Sequence, residues 1–346
     1  MKEERITLAH GAGGKETTEI LENLLFNRLD IVYKRVKGGV GIDLPDDGAT
    51  IPLPDGSFLV VSTDSYTVKP IRFPGGDIGK LAACGSINDV LVMGGKPIAF
   101  LDMIVVEEGV PMSLLEAIVD SMLKVLREER VPLVGGDFKV MPKGGVDGVV
   151  IATVALGLAR KPIIDAELKP GDRIIVTGPL GEHGATIMAL QHGIDAESKG
   201  LKSDVKTLTG IMIPLMEKYG EYIHAARDPT RGGLAMTLND WAKASGTVIV
   251  VEENNIPVRN PVKAYSEMLG IDPLYLACEG VAALGVEGSR AGDILEYLRR
   301  LGCCKASIIG EVKKSEKYSG LVLFQSAVGG LRILEPPTGV LVPRIC

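Results

Sequence analysis

The sequence predicts a two-domain protein of the α/β (α+β) class. Short apolar segments typical of strands alternate with segments of helical periodicity through both halves of the chain. The chain has 346 residues, whereas a usual domain has roughly 150. Its 46% of hydrophobic and 24% of charged residues are typical of a chain that is folded throughout. We expect a first domain over residues 1–159, a second over 160–334 and a flexible tail over 335–346.

Charge and cysteine content narrow the class of function. The net charge is −6 and no run of lysine and arginine is interleaved with aromatic residues, so we expect no nucleic-acid partner. The longest apolar run, residues 149–159, is too short to cross a bilayer, and residues 1–5 contain no apolar signal core. Five cysteines show neither zinc-ligand spacing nor a disulfide framework. We therefore expect a cytoplasmic protein with no membrane partner.

A glycine-rich turn at residues 10–14 precedes helical periodicity over residues 15–29. The N–H groups at a helix N-terminus bind anions, so this turn could hold a phosphate. A plain turn explains the pattern equally well, because the turn matches neither the Walker nor the dinucleotide-binding fingerprint.

A loop with three aspartates, residues 38–49, comes next and includes Asp47. A strand predicted over residues 58–63 should then present Asp64 at its end. Carboxylates on loops and strand ends suit Mg²⁺, which prefers oxygen ligands. The alternative is that the Asp-Asp-Gly sequence at 46–48 forms only a turn.

The helix predicted over residues 78–93 carries a stronger signal. Asp77 is placed to cap it, and Asn88 and Asp89 interrupt its apolar face. A buried carboxylate is costly unless a cation or hydrogen-bond donors satisfy it. Asp89 is therefore a candidate metal ligand or catalytic group.

The remaining elements of the first domain are strands over residues 98–106 and 147–158 and a helix over residues 114–126. Residues 131–134 are predicted to form a short buried strand, followed by Gly135-Gly136-Asp137-Phe138-Lys139. Asp137 would then lie at a strand end, and Lys139 beside it could neutralise phosphate charge. An isolated lysine is, however, usually only solvated.

The second domain continues the alternation. Strands are predicted over residues 174–177, 247–252, 281–286, 307–312 and 321–325, and helices over residues 203–219, 234–244, 261–269 and 292–300. A further helix begins near His183, which could be catalytic, although capping or packing is the commoner role of such a histidine. Residues 228–234 form a second glycine-rich helix entry, which contains Arg231.

The tail ends in a thiol. Pro336 and Pro337 resist both helix and central strand, so we expect a semi-extended arm that ends at Cys346. Cys346 is either an incidental terminal residue or a thiol that the arm brings to a nucleotide site in the body of the protein.

Taken together, these motifs resemble the HypE family of hydrogenase maturation factors. They also occur in looser form in aminoimidazole ribonucleotide synthetase, selenophosphate synthetase and thiamine monophosphate kinase. The terminal Pro-Arg-Ile-Cys is the specific part. The motifs are residues 10–14, 46–49, 76–77 with 88–89, 136–139, 228–234 and 343–346.

This resemblance implies a PurM-like fold and an ATP-dependent carbamoyl dehydratase that forms homodimers through its first domain. In the family, a carbamoyltransferase, HypF, places a carbamoyl group on the terminal thiol. ATP phosphorylates the carboxamide oxygen, and loss of phosphate leaves a thiocyanate. Its cyanide passes to iron held by HypC and HypD, for the [NiFe] hydrogenase centre.

The resemblance also implies roles for individual residues. Glu279 would be the general base, Lys139 an electrophilic helper and Arg231 a stabiliser of charge around Cys346. The nucleotide and Mg²⁺ would be held by a larger set of residues. The expected metal ligands are Asp47, Asp64, Asp89 and Asp137, and the further nucleotide-binding residues are Gly13, Gly14, Asp77, Lys80 and Asn88.

Two positions depart from the family pattern, Cys278 before Glu279 and Glu182 before His183, where asparagine and aspartate are expected. Two alternative functions also stay open. The chain could be a small-molecule kinase or synthetase of the same superfamily with an incidental Cys346, or a non-enzymatic scaffold whose tail passes a metal.

Overall fold

The computed structural model describes residues 5–340 and 344–346, so Pro343 of the terminal motif lies outside the described residues. The first domain is built on a five-stranded sheet of order β1-β2-β7-β5-β6, beside a two-stranded hairpin, β3-β4. Its pairs are antiparallel except β5 with β6. The strands are β1 (Ala49–Pro52), β2 (Phe58–Tyr66), β3 (Arg72–Phe73), β4 (Gly76–Asp77), β5 (Lys96–Glu107), β6 (Leu133–Met141) and β7 (Val149–Ala159), and the helices are α1 (Lys15–Leu24), α2 (Ile78–Val92) and α3 (Met112–Glu129).

Helix α2 is the buried centre of the first domain. Asp77 caps it by accepting hydrogen bonds from the Lys80 N–H at 2.9 Å and from the Ser121 hydroxyl. The helix approaches α3 closely at Gly79, where an added Cβ would lie 2.0 Å from the Ile118 carbonyl oxygen. The predicted helix and its cap are therefore present, and close packing requires glycine at this position.

The second domain is built on a seven-stranded sheet of order β14-β13-β10-β12-β8-β11-β9. Only β10 and β13 pair in parallel. Helix α6 packs on one face, where Trp241 is fully buried, and α5 and α8 pack on the other. The strands are β8 (Arg173–Val176), β9 (Ile223–Arg227), β10 (Val248–Glu252), β11 (Ala283–Val286), β12 (Ser307–Lys313), β13 (Val322–Gln325) and β14 (Leu331–Ile333), and the helices are α4 (Glu182–Gln191), α5 (Thr209–Tyr219), α6 (Gly233–Ser245), α7 (Asn260–Leu269) and α8 (Ala291–Arg300).

The predicted α/β (α+β) class is confirmed, but several predicted elements have the wrong bounds. Strand β2 continues to Tyr66, because it pairs with β7 as far as Ile151, so Asp64 lies within the strand and not at its end. Helix α1 ends at Leu24. Helix α5 begins only at Thr209, because residues 203–208 hydrogen-bond to other parts of the chain.

Strand β6 differs most from its prediction. It was expected as a short buried strand over residues 131–134, with Asp137 beyond its end. It runs instead over Leu133–Met141 at the edge of the sheet, and most of its side chains are exposed. Phe138 is 51% and Val140 58% exposed, so an apolar surface continues across this edge.

No helix among residues 5–340 and 344–346 is long and apolar enough to span a membrane.

Candidate active site at the docked tail

The end of the tail is docked between the two domains. The Thr67 N–H and hydroxyl donate to a carboxylate oxygen of Cys346 at 2.9 and 3.0 Å, and the Lys69 N–H donates to the Arg344 carbonyl at 3.0 Å. The Arg344 side chain donates to the Thr67 carbonyl at 2.7 Å and pairs with Asp147. Cys346 is only 5% exposed. The arm predicted from the prolines therefore ends in a specific binding site.

The Cys346 thiol lies among charged side chains. Burial raises its pKa above the ordinary value, and the charges of Glu279, Asp64 and Asp228 raise it further, whereas Arg231 lowers it. The docked thiol is therefore protonated at neutral pH. Glu279 and Arg231, the predicted neighbours of this thiol, both shift its pKa.

Glu279 has the properties of a proton acceptor. It is fully enclosed, and its Oε1 atom has no hydrogen-bond partner. Burial raises its pKa well above the ordinary value, and the charges of Asp204 and Asp64 raise it further. A carboxylate with a raised pKa binds a proton more tightly than an exposed one, which suits general base catalysis.

Arg231 interacts electrostatically with both Cys346 and the first domain. Its Nη2 atom lies 3.3 Å from Asp64 Oδ1. The pKa of its guanidinium is raised, first by the negative charge that Cys346 would carry as a thiolate and then by Asp64, against the effect of burial. The backbone of Gly13 packs directly on it, since an added Cβ at Gly13 would lie 2.3 Å from the Arg231 Cβ.

Three carboxylates from both domains converge beside these residues. Asp47, Asp89 and Asp228 each present an oxygen within 4.8 Å of the others. Burial raises the pKa of Asp47 to about 7, against the opposing charge of Arg227. Burial and the charges of Asp228 and Asp47 also raise the pKa of Asp89, whose Oδ2 accepts from the Ser62 hydroxyl at 2.5 Å.

Unpaired buried oxygens show that this group fits a divalent cation. Asp47 Oδ2 and Asp228 Oδ2 are buried without a hydrogen-bond partner. Like charges at this distance repel one another unless a cation or protons neutralise them, and carboxylate oxygens are the ligands that Mg²⁺ prefers. The prediction placed Asp47 and Asp89 in a metal site but missed Asp228, whose position in the Asp-Pro-Thr-Arg motif was the available signal.

The other two predicted metal ligands lie elsewhere. Asp64 pairs with Arg231 and is not a member of the group of three. Asp137 accepts a hydrogen bond from Lys139 at 2.7 Å on the exposed strand β6. Among the described residues, neither Asp137 nor Lys139 makes a hydrogen bond or ion pair with a site residue. The reason is that β6 is an edge strand and does not end at the site.

Three predicted nucleotide-binding side chains have structural roles within this chain. Asp77 caps α2, and the Lys80 ammonium donates to the Gly75 carbonyl at 2.9 Å. The Asn88 amide donates to the Lys206 carbonyl at 3.0 Å, and its oxygen accepts from the Leu208 N–H at 2.8 Å. The polar interruption that the sequence indicated in α2 is thus partly a contact between domains.

Gly14 also contacts the tail. It precedes α1, whose first N–H group, that of Lys15, donates to the Pro337 carbonyl at 3.1 Å. An added Cβ at Gly14 would lie 2.5 Å from that carbonyl oxygen. In the described structure the N-terminus of α1 therefore binds the tail backbone.

Arg227 is a site residue that the sequence did not indicate. At the end of β9 it forms ion pairs with Asp47 at 3.1 Å, Asp165 at 2.7 Å and the partly exposed Asp240 at 2.9 Å. Its three partners are far apart from one another in sequence, so no local motif indicates this group of ion pairs. The ion pair with the Arg227 guanidinium holds Asp47 beside Asp89 and Asp228.

A cleft of about 540 Å³ adjoins the carboxylate group, and Asp47 lines it. Its walls combine apolar side chains, which suit a nucleobase, with three cationic and five acidic ones, so that phosphates there would need a bound cation as well. They include Leu21, Phe26 and Ile164 as apolar residues and Arg227, Arg231 and Lys243 as cationic residues.

Comparison with known proteins agrees with this architecture. Residues 45–159 match the family described as AIR synthase related protein, N-terminal domain, and residues 169–322 match its C-terminal domain. Fold and site thus define an AIR synthase-related protein with a thiol-bearing tail.

Full-length relatives give a narrower assignment. The carbamoyl dehydratase HypE of Azotobacter vinelandii is 38% identical over 99% of this chain and 97% of its own length. A crystal structure of HypE in complex with ATP is 37% identical, covers 99% of this chain and 100% of its own and has a TM-score of 0.80. HypE in a HypE–HypF complex is 37% identical, covers 92% of this chain and 99% of its own and has a TM-score of 0.82. The chain belongs to the HypE family.

Proposed function

We propose that the protein acts in hydrogenase maturation and uses ATP to dehydrate an S-carboxamide on its own Cys346 to a thiocyanate. The observation that carries the proposal is the buried Cys346 thiol, which is placed under the influence of Glu279 and Arg231 in a protein with a carboxylate group suited to bind Mg-ATP. The relatives named carbamoyl dehydratase and the ATP-bound relative support it.

The proposed reaction has two stages. ATP first phosphorylates the carboxamide oxygen, which converts a poor leaving group into a good one. One N–H proton leaves the nitrogen as the oxygen is phosphorylated, and Glu279 removes the second as the carbon–oxygen bond breaks. One of these protons ends on the departing phosphate, so that thiocyanate, ADP, inorganic phosphate and one proton result. Arg231 stabilises negative charge on the substrate, and burial excludes water from it.

Mg²⁺ is the metal that this site suits, with Asp47, Asp89 and Asp228 as its ligands. When bound, it neutralises charge on the phosphates of ATP during phosphoryl transfer. Arg227 holds Asp47 in place for this role. The nucleobase would lie in the adjoining cleft.

We propose that the active form is a homodimer. The exposed apolar side chains of β6 and of neighbouring β5, which include Phe138, Val140 and Met103, form a surface that a second copy would cover. We propose that dimerisation brings Asp137 and Lys139 to the nucleotide site, where Lys139 neutralises phosphate charge.

HypF is the proposed donor of the carbamoyl group, since a relative has been crystallised as a HypE–HypF complex. The HypC–HypD pair is the proposed acceptor of the cyanide. We place the protein in the cytoplasm, where its five free cysteines would stay reduced.

The test is the intact mass of the protein after incubation with HypF, carbamoyl phosphate and ATP. We expect a gain of one carbamoyl group, followed by loss of one water when Mg²⁺ is present. Cys346→Ala should show neither change. A wild-type protein that gains no mass, yet phosphorylates a small molecule, would favour the kinase alternative.

A further inference from the structure

We propose that His183 is a positioning residue for the substrate thiol. Its Nε2–H group donates to the Ile345 carbonyl at 2.7 Å, one residue before Cys346, and so fixes where the thiol lies. The role in catalysis rests on the proposed function, but the contact with the tail can be tested without ATP or HypF.

The hydrogen bonds around His183 determine which nitrogen carries the proton. The Val205 N–H donates to the Ser203 hydroxyl oxygen at 3.2 Å, and that oxygen lies 2.7 Å from His183 Nδ1. A carbonyl can only accept, so Nε2 must carry the hydrogen that Ile345 receives. In the neutral ring Nδ1 is then the acceptor, and the Ser203 hydroxyl donates to it.

Burial keeps the ring in this neutral form. His183 is fully buried, and its ring meets that of Phe73 edge-on, with 5.3 Å between ring centres. Burial lowers its pKa to about 4, so the ring is uncharged at neutral pH. One tautomer therefore persists, with its donor directed at the tail.

The same short segment also positions the base. Residues 203–206 include Ser203, which orients His183, and Asp204, whose carboxylate accepts from the N–H groups of Glu279 at 3.2 Å and Gly280 at 3.1 Å. A shift of this segment would therefore move the thiol and the base together.

The segment is itself anchored to the first domain. The Ser203 N–H donates to the Pro74 carbonyl at 2.9 Å. Asn88, adjacent to the carboxylate Asp89, hydrogen-bonds to Lys206 and Leu208. Segment 203–208 thus links the tail, the base and the helix that carries Asp89. A histidine that only packed would not need a donor aimed at the tail.

Two amide substitutions separate contact with the tail from contact with Ser203. The amide nitrogen of His183→Gln can replace Nε2 and still donate to Ile345. The shorter His183→Asn can replace Nδ1 toward Ser203 but cannot reach the tail. His192→Gln is the control, because this histidine lies just beyond the same helix and its ring, within the described part of the chain, bonds to the Met188 carbonyl alone.

The experiment measures alkylation of Cys346 by a maleimide in the full chain without nucleotide, with exposed Cys304 as the internal reference. A lost buried hydrogen bond should increase the Cys346-to-Cys304 rate ratio about tenfold in His183→Asn. The ratio should stay near wild type in His183→Gln and His192→Gln. Hydrogen exchange at the Thr67 and Lys69 amides, which donate to the tail, should accelerate only in His183→Asn.

Folded His183→Asn protein with wild-type alkylation and exchange would overturn the proposal. So would a His183→Gln protein as reactive as His183→Asn, because that result assigns the effect to packing. If His183→Asn does not fold, Ser203→Ala replaces it, and an unchanged ratio there counts against the proposal. If the wild-type protein did not dehydrate the carboxamide, although its tail was protected from alkylation and hydrogen exchange, that result would contradict the proposed function instead.

Discussion

Among single residues, Glu279 has the most direct part in the proposed reaction. In Glu279→Gln the side chain keeps its size but cannot accept the proton, so we expect normal carbamoyl uptake and a rate of water loss at least about 100-fold lower. The measurement is the mass of the Cys346 peptide over time. Glu287→Gln is a matched control, since Glu279 precedes and Glu287 follows strand β11. Unchanged water loss in Glu279→Gln would remove it from the mechanism.

Sequence reasoning identified some of these residues and not others, for physical reasons. Cys346, Glu279, Arg231, Asp47 and Asp89 lie in local motifs, and the structure brings them together. Arg227 acts through three carboxylates distant in sequence, so only folding reveals it. The role of His183 depends on a contact with the tail, 162 residues away in the chain.

At the scale of elements, the close packing of α2 on α3 at Gly79 is a specific requirement. In Gly79→Ala the new methyl group would collide with the Ile118 carbonyl, and we expect a loss of about 1–3 kcal/mol in the free energy of unfolding. Denaturant titration measures it. Gly292→Ala in α8 is the control, because an added Cβ there meets nothing within 4 Å. Equal stability of the two variants would show that α2 can shift freely.

The edge strand β6 carries the second element-scale prediction. If β6 lies in the dimer interface, Phe138→Asp should convert a dimer to a monomer, because a charge would be buried there. Val328→Asp is the control, since Val328 is 96% exposed in the second domain. Molar mass measured by light scattering distinguishes the outcomes. A dimer that persists in Phe138→Asp would place the interface elsewhere.

Elements whose hydrogen bonds are local were predicted well, and those defined by distant partners were not. Helix α2 was predicted from its capping residue and its apolar run. The 203–208 segment has a helical pattern, yet its polar groups bond to Pro74, Asn88 and Glu279, so no helix forms there. Strand β6 was predicted wrongly because its apolar pattern does not distinguish a buried strand from an exposed edge strand.

At the scale of the whole molecule, buried His183 should make stability depend on pH. Its pKa is about 4 in the folded state against 6.5 ordinarily, so the unfolded chain binds a proton first as the pH falls. Protonation therefore favours unfolding between about pH 6.5 and 4, by on the order of 3 kcal/mol.

His183→Gln isolates this effect, because buried carboxyls with raised pKa values, such as Asp204, act in the opposite direction in both proteins. Relative to wild type, the variant should gain stability as the pH falls from about 7 to about 4.5. Denaturant titrations at both pH values measure the difference. Equal losses of stability in the two proteins as the pH falls would show that His183 does not titrate as its burial predicts.

In the proposed reaction, the carboxamide on Cys346 loses its oxygen to phosphate. The most direct test carries a heavy oxygen isotope in the carbonyl of carbamoyl phosphate, lets HypF transfer the group, and then supplies Mg-ATP. We expect the label to appear in inorganic phosphate as the tail becomes a thiocyanate. Label that appears in water, or that stays on the tail while ATP is hydrolysed, would contradict it.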